Sequence, residues 1–292
     1  MHAAARMPDP VWGEADVTSA KGADNENFPV GSLLFAKANR KHIVAYYNFA
    51  RVIDDMVDNA TLTPEAKIAR LRGMEEVLRG EREAPQRADA QTAAILRRHL
   101  VETGVPFETA SDLITAFCQD AVKNRYETWD ALLDYCRFSA NPVGRFLLLL
   151  HGEDARTLPL SDALCSALQV INHLQDVTSD LKTLDRSYLP QDMLDAENAK
   201  VEDVLLARSK PGLRRVFDRL LDEVDRLNRQ AADLPAMVRD RRMRAYCAVV
   251  VALSHRLAAR LRREDPVAGR VKLGRVDAGF ALCKGLIALV RR

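Results

Sequence analysis

Two groups of oxygen-bearing side chains lie in stretches of the chain that are otherwise apolar and helical in period. The first group is Asp54, Asp55 and Asp58, and the second is Asn172, Asp176 and Asp180. Residues four apart are about one turn apart on a helix, so each group forms a stripe along one face. Like charges at this spacing repel each other and weaken a helix. Hard cations such as Mg²⁺ bind carboxylate oxygens and share their remaining coordination with water and phosphates. The pattern therefore predicts two facing walls of a Mg²⁺–diphosphate site.

An acidic pair on a helix is more often solvated surface than a metal site. The first group, however, is interleaved with Ile53, Met56 and Val57, which are too apolar for an ordinary exposed face. The second group alone fits a structural role as well as a metal-binding one. Its neighbours Leu174 and Val177 suggest burial, which raises the cost of leaving acids unpaired. Two such groups on separate helices are more specific than either one.

Helices must position these side chains, because helical periodicity runs through nearly the whole chain and strand-like alternation is absent. Thr63 and Pro64 have the capping and first-turn pattern of a helix start, and Pro142 predicts a break near Asn141. The predicted helices are 32–57, 64–80, 91–103, 107–126, 129–151, 161–181 with Ser161 as its cap, 212–233, 239–263 and 276–290, with a loop at 185–194. The pattern predicts an all-α single domain over residues 27–292, preceded by a flexible arm at 1–26.

Composition excludes several classes of protein. Among 292 residues, 43 Lys and Arg nearly balance 41 Asp and Glu, so no strong field recruits nucleic acid. Five scattered cysteines without a Cys-x-x-Cys pair indicate free thiols in a reducing compartment. The first residues lack an apolar signal core, and the longest apolar runs are too short to cross a membrane. We therefore expect a cytoplasmic protein.

Other site chemistries lack their motifs. Glu-x-x-His pairs of a di-iron bundle, a Gly-x-Gly-x-x-Gly fingerprint and a Walker loop are all absent. No Ser-centred nucleophile elbow occurs. The six histidines are dispersed, and His173 is predicted to point away from the acidic face and to serve packing.

Three ordered segments carry a resemblance to a known family: NFPVGSLLFAKANRKHIVAYYNFARVIDDMVD, YCRFSANPVGRF and LQVINHLQDVTSDLKTLDRSYLP. Over about residues 25–290 the chain resembles the squalene/phytoene synthase family of head-to-head prenyl synthases. The opening Glu26 to Val30 and the run Ser139 to Pro142 look like the bacterial hydroxysqualene synthase branch of hopanoid biosynthesis. The resemblance implies an all-α isoprenoid-synthase fold around a central cavity with Mg²⁺ at its mouth. It also implies a separate enzyme that supplies presqualene diphosphate.

The resemblance assigns roles to individual residues. Both acidic groups match the family's aspartate-rich motifs, with Asp54 and Asp176 most directly tied to catalysis. Tyr135 matches a tyrosine placed near the reacting carbons. The predicted diphosphate contacts are Asn27, Ser32, Tyr47, Arg51, Asn172, Arg186 and Tyr188. Ser32 is equally suited to capping a helix, Tyr47 to packing in a core, and Arg51 to a surface salt bridge one turn away.

Three positions depart from the family pattern. Many relatives have Arg at Gln175, and squalene synthases often have Glu at Ser179, so the second wall carries less charge here. Ser-Ala-Asn-Pro replaces the Val-Ala-Gly that is common after the tyrosine element, and a polar pocket is expected there.

The expected reaction is Mg²⁺-assisted ionisation of presqualene diphosphate, rearrangement of the carbocation and capture of water to give hydroxysqualene. Within the family the chain could instead make presqualene diphosphate from farnesyl diphosphate, or act as an NADPH-dependent squalene synthase. A non-catalytic assembly or scaffold member is the alternative of another class, although such members typically lose their acidic motifs. The terminal AGFALCKGLIALVRR is expected to be a core helix, with peripheral membrane contact as the alternative.

Overall fold

Helices are the regular elements of the part of the chain that the computed structural model describes, residues 11–12, 16–17 and 34–290. Strand-type pairing within these residues is limited to one isolated bridge between Tyr126 and Pro190. The prediction of an all-α protein is confirmed. The described residues group into two compact units. The first contains residues 11–12, 16–17 and 41–122, and the second contains residues 34–40 and 123–290.

The first unit contains most of α1 and three further helices. Their bounds are α1 (Lys37–Asp58), α2 (Pro64–Arg79), α3 (Ala88–Thr103) and α4 (Glu108–Asp120). α2 packs against both α3 and α4. Thr63 accepts a hydrogen bond from the backbone N–H of Ala66 and caps α2, while Gly80 ends it with φ of 80°, a conformation that Gly adopts without steric cost. The predicted start and end of this helix are confirmed.

The second unit contains nine helices among residues 123–290. They are α5 (Trp129–Ser139), α6 (Asn141–Leu150), α7 (Leu158–Gln175), α8 (Val177–Leu184), α9 (Gln191–Ala196), α10 (Pro211–Ala231), α11 (Leu234–Met237), α12 (Arg241–Leu261) and α13 (Arg275–Val290). α7 packs against α6, α10 and α12. α10 buries Leu213, Val216, Phe217, Leu220 and Leu221 at the three- and four-residue spacing of an amphipathic helix.

Several predicted helix boundaries are wrong. The predicted helix 161–181 begins instead at Leu158, directly after a 3-10 turn, so Ser161 is buried within the helix and does not cap it. The predicted helix 107–126 ends at Asp120. The chain leaves the helix there because the carbonyls of Asn124 and Tyr126 accept backbone hydrogen bonds from Ser187 and Gln191. Long-range backbone pairing thus overrides local helical propensity. The predicted loop 185–194 also gives way to α9 at Gln191.

The predicted flexible arm, residues 1–26, lies mostly outside the described residues. Within it, Trp12 and Val17 are almost completely buried in the first unit. The backbone N–H of Val17 donates to Asp89, 3.1 Å away, and Trp12 packs beside Gly73. The prediction of flexibility is therefore wrong at these two positions.

Asp89 is a buried carboxylate that ties this N-terminal contact to the start of α3. It accepts hydrogen bonds from the Arg87 guanidinium and from the backbone N–H groups of Val17 and Ala90. Burial alone would raise the pKa of Asp89, but these hydrogen bonds outweigh it and hold the pKa below its ordinary value.

Replacing Asp89 with Asn should lower the free energy of unfolding at pH 7 by about 2–3 kcal/mol, because the charged hydrogen bonds of a buried carboxylate are lost. A lowered folded-state pKa stabilises the protein above the unfolded pKa of about 4, and this contribution disappears as pH falls through the folded pKa. Urea unfolding should therefore show the gap between wild type and D89N closing below about pH 4.

The control is Glu81→Gln, which removes an exposed acid from the loop before α3. It should leave the urea midpoint at pH 7 nearly unchanged. A D89N midpoint equal to that of E81Q would contradict the structural role of Asp89.

Candidate functional site

The first acidic group lies at the end of α1 in the first unit. Arg51 donates to Asp54 at 2.9 Å and approaches Asp55 at 3.5 Å, so one guanidinium serves two carboxylates. All three side chains are mostly shielded, with 15% of Arg51, 28% of Asp54 and 13% of Asp55 exposed. Asp58 is the last residue of α1, and Tyr47 precedes Arg51 by about one turn. Arg51 therefore forms the salt bridge to acids about one turn away that was its alternative role, in partly buried surroundings. Its predicted contact with diphosphate stays a prediction.

One carboxylate oxygen of this cluster has no hydrogen-bond donor within the described residues. Oδ2 of Asp55 is buried and accepts no hydrogen bond there. A buried carboxylate oxygen without a partner is costly unless something binds it. The donor set consists of carboxylate oxygens, which are the ligands that hard divalent cations prefer. Asp54, Asp55 and Asp58 therefore fit a divalent cation.

The second acidic group spans the junction of α7 and α8 in the second unit. The two helices are separated at Asp176, which replaces the single predicted helix by two. The backbone N–H of Asp176 still donates to Asn172, and that of Asp180 still donates to Asp176. These four-residue steps keep the three side chains on one stripe despite the break. The predicted stripe is confirmed, and its helix is not continuous.

A cation that the sequence did not single out lies against this stripe. Arg270, in the turn between α12 and α13, forms an ion pair with Asp176 at 3.1 Å. The side-chain amide of Gln175 donates to the carbonyl of Val271 and holds this turn against α7. Many relatives have Arg at the position of Gln175. Here Gln175 instead holds the segment that contains Arg270, and Arg270 brings a guanidinium to Asp176. Arg270 is 94 residues from Asp176 in an irregular segment, so spacing rules carried no signal for it.

Next to Asp180 lies a small pocket within the second unit. Its polar lining consists of Asp180, Arg186, Ser187 and the rings of His173 and Tyr188, and its apolar lining is Val170, Leu174, Val177, Leu189 and Leu220. The carboxylate of Asp180, the guanidinium of Arg186 and the aromatic rings thus line the same pocket as these apolar side chains. Asp180, Arg186 and Tyr188, three of the predicted site residues, therefore line the same pocket. Their assigned roles stay predictions.

Four aromatic rings pack together beside this pocket. Tyr188 stacks on His173 with ring centroids 3.5 Å apart, and it contacts Tyr126 and Tyr135 at 5.6 and 5.4 Å. Tyr135, on α5, is buried and lies 6.0 Å from the His173 ring. The ring faces are electron-rich and can stabilise a cation held nearby.

Backbone pairing holds Tyr188 in this position. The residues 185–190 run beside 124–126, with Ser187 and Gln191 donating to the carbonyls of Asn124 and Tyr126. Asp185 turns the chain out of α8 with φ of 51°, and its carboxylate accepts from Arg125 at 2.7 Å. Asp is one of the few residues other than Gly that tolerate this conformation.

His173 has a larger part in the pocket than its predicted packing role. Burial and, secondly, the nearby Arg186 guanidinium lower the pKa of His173 to about 3, so the ring is neutral at physiological pH. Its Nε2 is buried and has no hydrogen-bond partner among residues 34–290. The dispersed histidines carry no spacing signal for this stacking, because Tyr188 is 15 residues further along the chain and beyond the end of α8.

The Ser-Ala-Asn-Pro run forms the predicted break between α5 and α6. Asn141 is buried and accepts a hydrogen bond from the hydroxyl of Ser166 at 3.0 Å. The hydroxyl of Ser139 is buried without a hydrogen-bond partner in the described part of the chain. Polar groups are thus buried at this break, and the polar pocket expected there stays a prediction.

Some predicted site residues cannot be placed. Asn27 and Ser32 lie outside the described residues. The facing arrangement of the two acidic groups stays a prediction. Within the described residues, neither group alone brings three His, Cys, Asp or Glu ligand atoms within 4.8 Å of one another. Such open groups suit a cation that shares its coordination with water and diphosphate.

Comparison with known proteins matches the chain to one family. The sequence profile of the family described as squalene/phytoene synthase matches residues 22–277. The chain is 41% identical to the hydroxysqualene synthase of Rhodopseudomonas palustris, over 90% of this chain and 88% of that protein. It is 40% identical to the hydroxysqualene synthase of Sinorhizobium fredii, over 86% of this chain and 85% of that protein.

A solved structure agrees with the sequence relatives. The crystal structure of squalene synthase HpnC from Alicyclobacillus acidocaldarius superposes with a TM-score of 0.69 and 31% identity, over 80% of this chain and 87% of the other. The predicted isoprenoid-synthase fold is thereby confirmed. The chain belongs to the squalene/phytoene synthase family.

Proposed function

We propose that this protein converts presqualene diphosphate to hydroxysqualene and uses Mg²⁺ to do so. The observation that carries the proposal is the pocket where Asp180 and Arg186 meet the rings of His173 and Tyr188 over apolar side chains. This arrangement suits a diphosphate at the polar end, a carbocation at the rings and a hydrocarbon chain at the apolar wall. The names of the two curated relatives support the same activity.

The acidic residues are proposed to hold the metal. These residues are Asp54, Asp55 and Asp58 in the first unit and Asn172, Asp176 and Asp180 in the second. Mg²⁺ bound to them would supply Lewis-acid stabilisation of the departing diphosphate. Arg51, Arg186 and Arg270 would add positive charge, since guanidinium groups pair well with phosphate oxygens. Asn27, Ser32, Tyr47 and Tyr188 are proposed as further contacts to the diphosphate.

The reaction balances without a reductant. The C–O bond to the diphosphate breaks and its electron pair leaves with the diphosphate. The cyclopropylcarbinyl cation rearranges with opening of the ring, a water oxygen forms the new C–O bond, and one water proton is released. The rings of Tyr135 and Tyr188 would stabilise the cation, and the hydroxyl of Tyr135 would orient the water.

The purified protein with Mg²⁺ and presqualene diphosphate, without nicotinamide cofactor, should release hydroxysqualene. Water capture needs no hydride, so added NADPH should change neither the rate nor the product. Mass spectrometry of the extracted hydrocarbon provides the measurement. Squalene formed only with NADPH, or product formed only from farnesyl diphosphate, would identify one of the two rival synthases. No product from any of these substrates would indicate the scaffold role.

Replacing Asp54 or Asp176 with Ala should lower kcat/KM by at least about 10²–10³-fold, because each substitution removes a group that stabilises the developing charge on the diphosphate. Thermal unfolding should stay within a few degrees of wild type, since like-charge repulsion is also relieved. The matched control is Asp134→Ala, an exposed acid on α5. Near wild-type turnover by either variant would contradict the assigned role of the acidic groups.

We also propose that a separate enzyme supplies the substrate, because presqualene diphosphate must be made by joining two prenyl diphosphates. No helix within the described residues is both long and apolar enough to cross a bilayer. Transfer of such a hydrocarbon-rich substrate would nevertheless be helped by contact with a membrane surface.

The terminal helix α13 has the features of such a contact surface. One face packs closely on α12, since a Cβ at Gly285 would lie 2.6 Å from Val249. The opposite face exposes large apolar side chains, namely Val276, Phe280, Leu282, Leu286, Ile287 and Val290. Its one acid, Asp277, is buried and paired with Arg260, whereas Arg275 and Lys284 are exposed. An apolar face with a positive rim fits an anionic lipid surface.

Vesicles that contain phosphatidylglycerol should therefore bind the protein at low salt, as measured by co-sedimentation. The triple variant Leu282→Ser, Leu286→Ser and Ile287→Ser should lose this binding while keeping its activity on detergent-dispersed substrate. The control variant, Val101→Ser with Val122→Ser, removes two exposed apolar side chains elsewhere and should still bind. Unchanged sedimentation of the triple variant would contradict membrane contact. A dimer that the control variant retains and the triple variant loses would also contradict it, because the exposed face of α13 would then be a dimer interface.

A further inference from the structure

Two histidines and a glutamate lie close together within the first unit, and none of them belongs to either acidic group. His42 lies on α1, and His99 and Glu102 lie on α3. The Nδ1 atoms of the two imidazoles are 2.9 Å apart, and Glu102 Oε2 is 4.0 Å from His99 Nδ1. One ligand atom from each residue lies within 4.8 Å of the other two. Within residues 11–12, 16–17 and 34–290 this is the one group of its kind.

The side chains are held in place by their helices. His42 is buried, and His99 is about four-fifths buried. The three-residue spacing of His99 and Glu102 places both on one face of α3, towards His42. The two ring planes cross at 89°, so the rings meet edge to face and not stacked. Two imidazoles and a carboxylate are a common ligand set for zinc.

We propose that His42, His99 and Glu102 bind a divalent transition metal, with Zn²⁺ as the expected ion and water as its fourth ligand. This site is separate from the oxygen-only groups proposed to hold Mg²⁺ and does not depend on the proposed reaction. Imidazole nitrogens select Zn²⁺ over hard cations, whereas the acidic groups do the reverse.

The geometry needs only a small adjustment to bind the ion. Tetrahedral zinc with Zn–N bonds of about 2.0–2.1 Å separates two nitrogens by about 3.3 Å. The Nδ1 atoms must therefore move apart by about half an ångström, and the half-exposed Glu102 must rotate inwards. Burial, with the nearby Lys41 ammonium among the smaller causes, lowers the pKa of both histidines. Both rings are thus neutral at physiological pH, the form that binds metal.

Substituting Lys41 should change the zinc affinity in the opposite direction to substituting a ligand. Its ammonium group lies 2.5 Å from Glu102 Oε1 and competes with a metal for that carboxylate. Both of these side chains are more than half exposed, so solvent weakens the competition. Removing the Lys41 charge should therefore tighten zinc binding modestly, by about two- to three-fold.

The experiment is a competition titration of Zn²⁺ against a chromophoric chelator, with untagged full-length protein in excess Mg²⁺ to occupy the carboxylate groups. Wild type should bind one equivalent, and Zn²⁺ should raise its Tm. Loss of a residue that only hydrogen-bonds to a metal ligand weakens metal binding by about 10–100-fold. His99→Gln removes a ligand itself, so it should weaken zinc binding by at least about 100-fold. Lys41→Gln should bind more tightly.

The control is His255→Gln, which removes an exposed histidine from α12 and should leave both the affinity and the Tm shift unchanged. Glu102→Gln offers a second ligand variant whose side chain is too exposed to endanger folding. One equivalent of zinc bound with unchanged affinity by both H99Q and E102Q would overturn the proposal. So would a wild type that binds no zinc at about 100 μM.

Discussion

The arrangement of both acidic groups is governed by the electrostatic cost of placing several carboxylates close together in partly buried positions. Each group is accompanied by a guanidinium, Arg51 in the first unit and Arg270 in the second. In the first group, Oδ2 of Asp55 is buried and accepts no hydrogen bond within the described residues. A divalent ion at that oxygen, which the proposed reaction would use, would offset the cost of burying it.

The second unit combines this charge with a surface suited to a carbocation. Asp180 and Arg186 supply the polar end of the pocket, while His173 and Tyr188 present stacked rings beside Leu174 and Leu220. A neutral imidazole at this position adds no charge that would repel a cation. In the proposed reaction, diphosphate departure and stabilisation of the carbocation would therefore use adjacent parts of the same surface.

Much of this architecture was readable from the sequence, and the exceptions share a physical cause. The acidic stripes, the cap at Thr63 and the break before Asn141 depend on local spacing, and all were predicted correctly. Arg270 and the early end of α4 were missed because each depends on contacts with residues far away in the chain. The convergence of His42 with His99 was missed for the same reason, since 57 residues separate them. Periodicity reports which face a residue occupies but not which distant side chain it meets.

The main-chain pairing between residues 185–190 and 124–126 has an evolutionary consequence. Because a main-chain carbonyl and a main-chain amide make this contact, Asn124 contributes to it with any side chain and Ser187 with any side chain except that of proline. Sequence drift at these two positions is therefore compatible with an unchanged placement of the Tyr188 ring. A single-residue insertion or deletion between α4 and α5 would instead shift the register of the pair and displace the ring. Selection here should act on the length of the segment more strongly than on its composition.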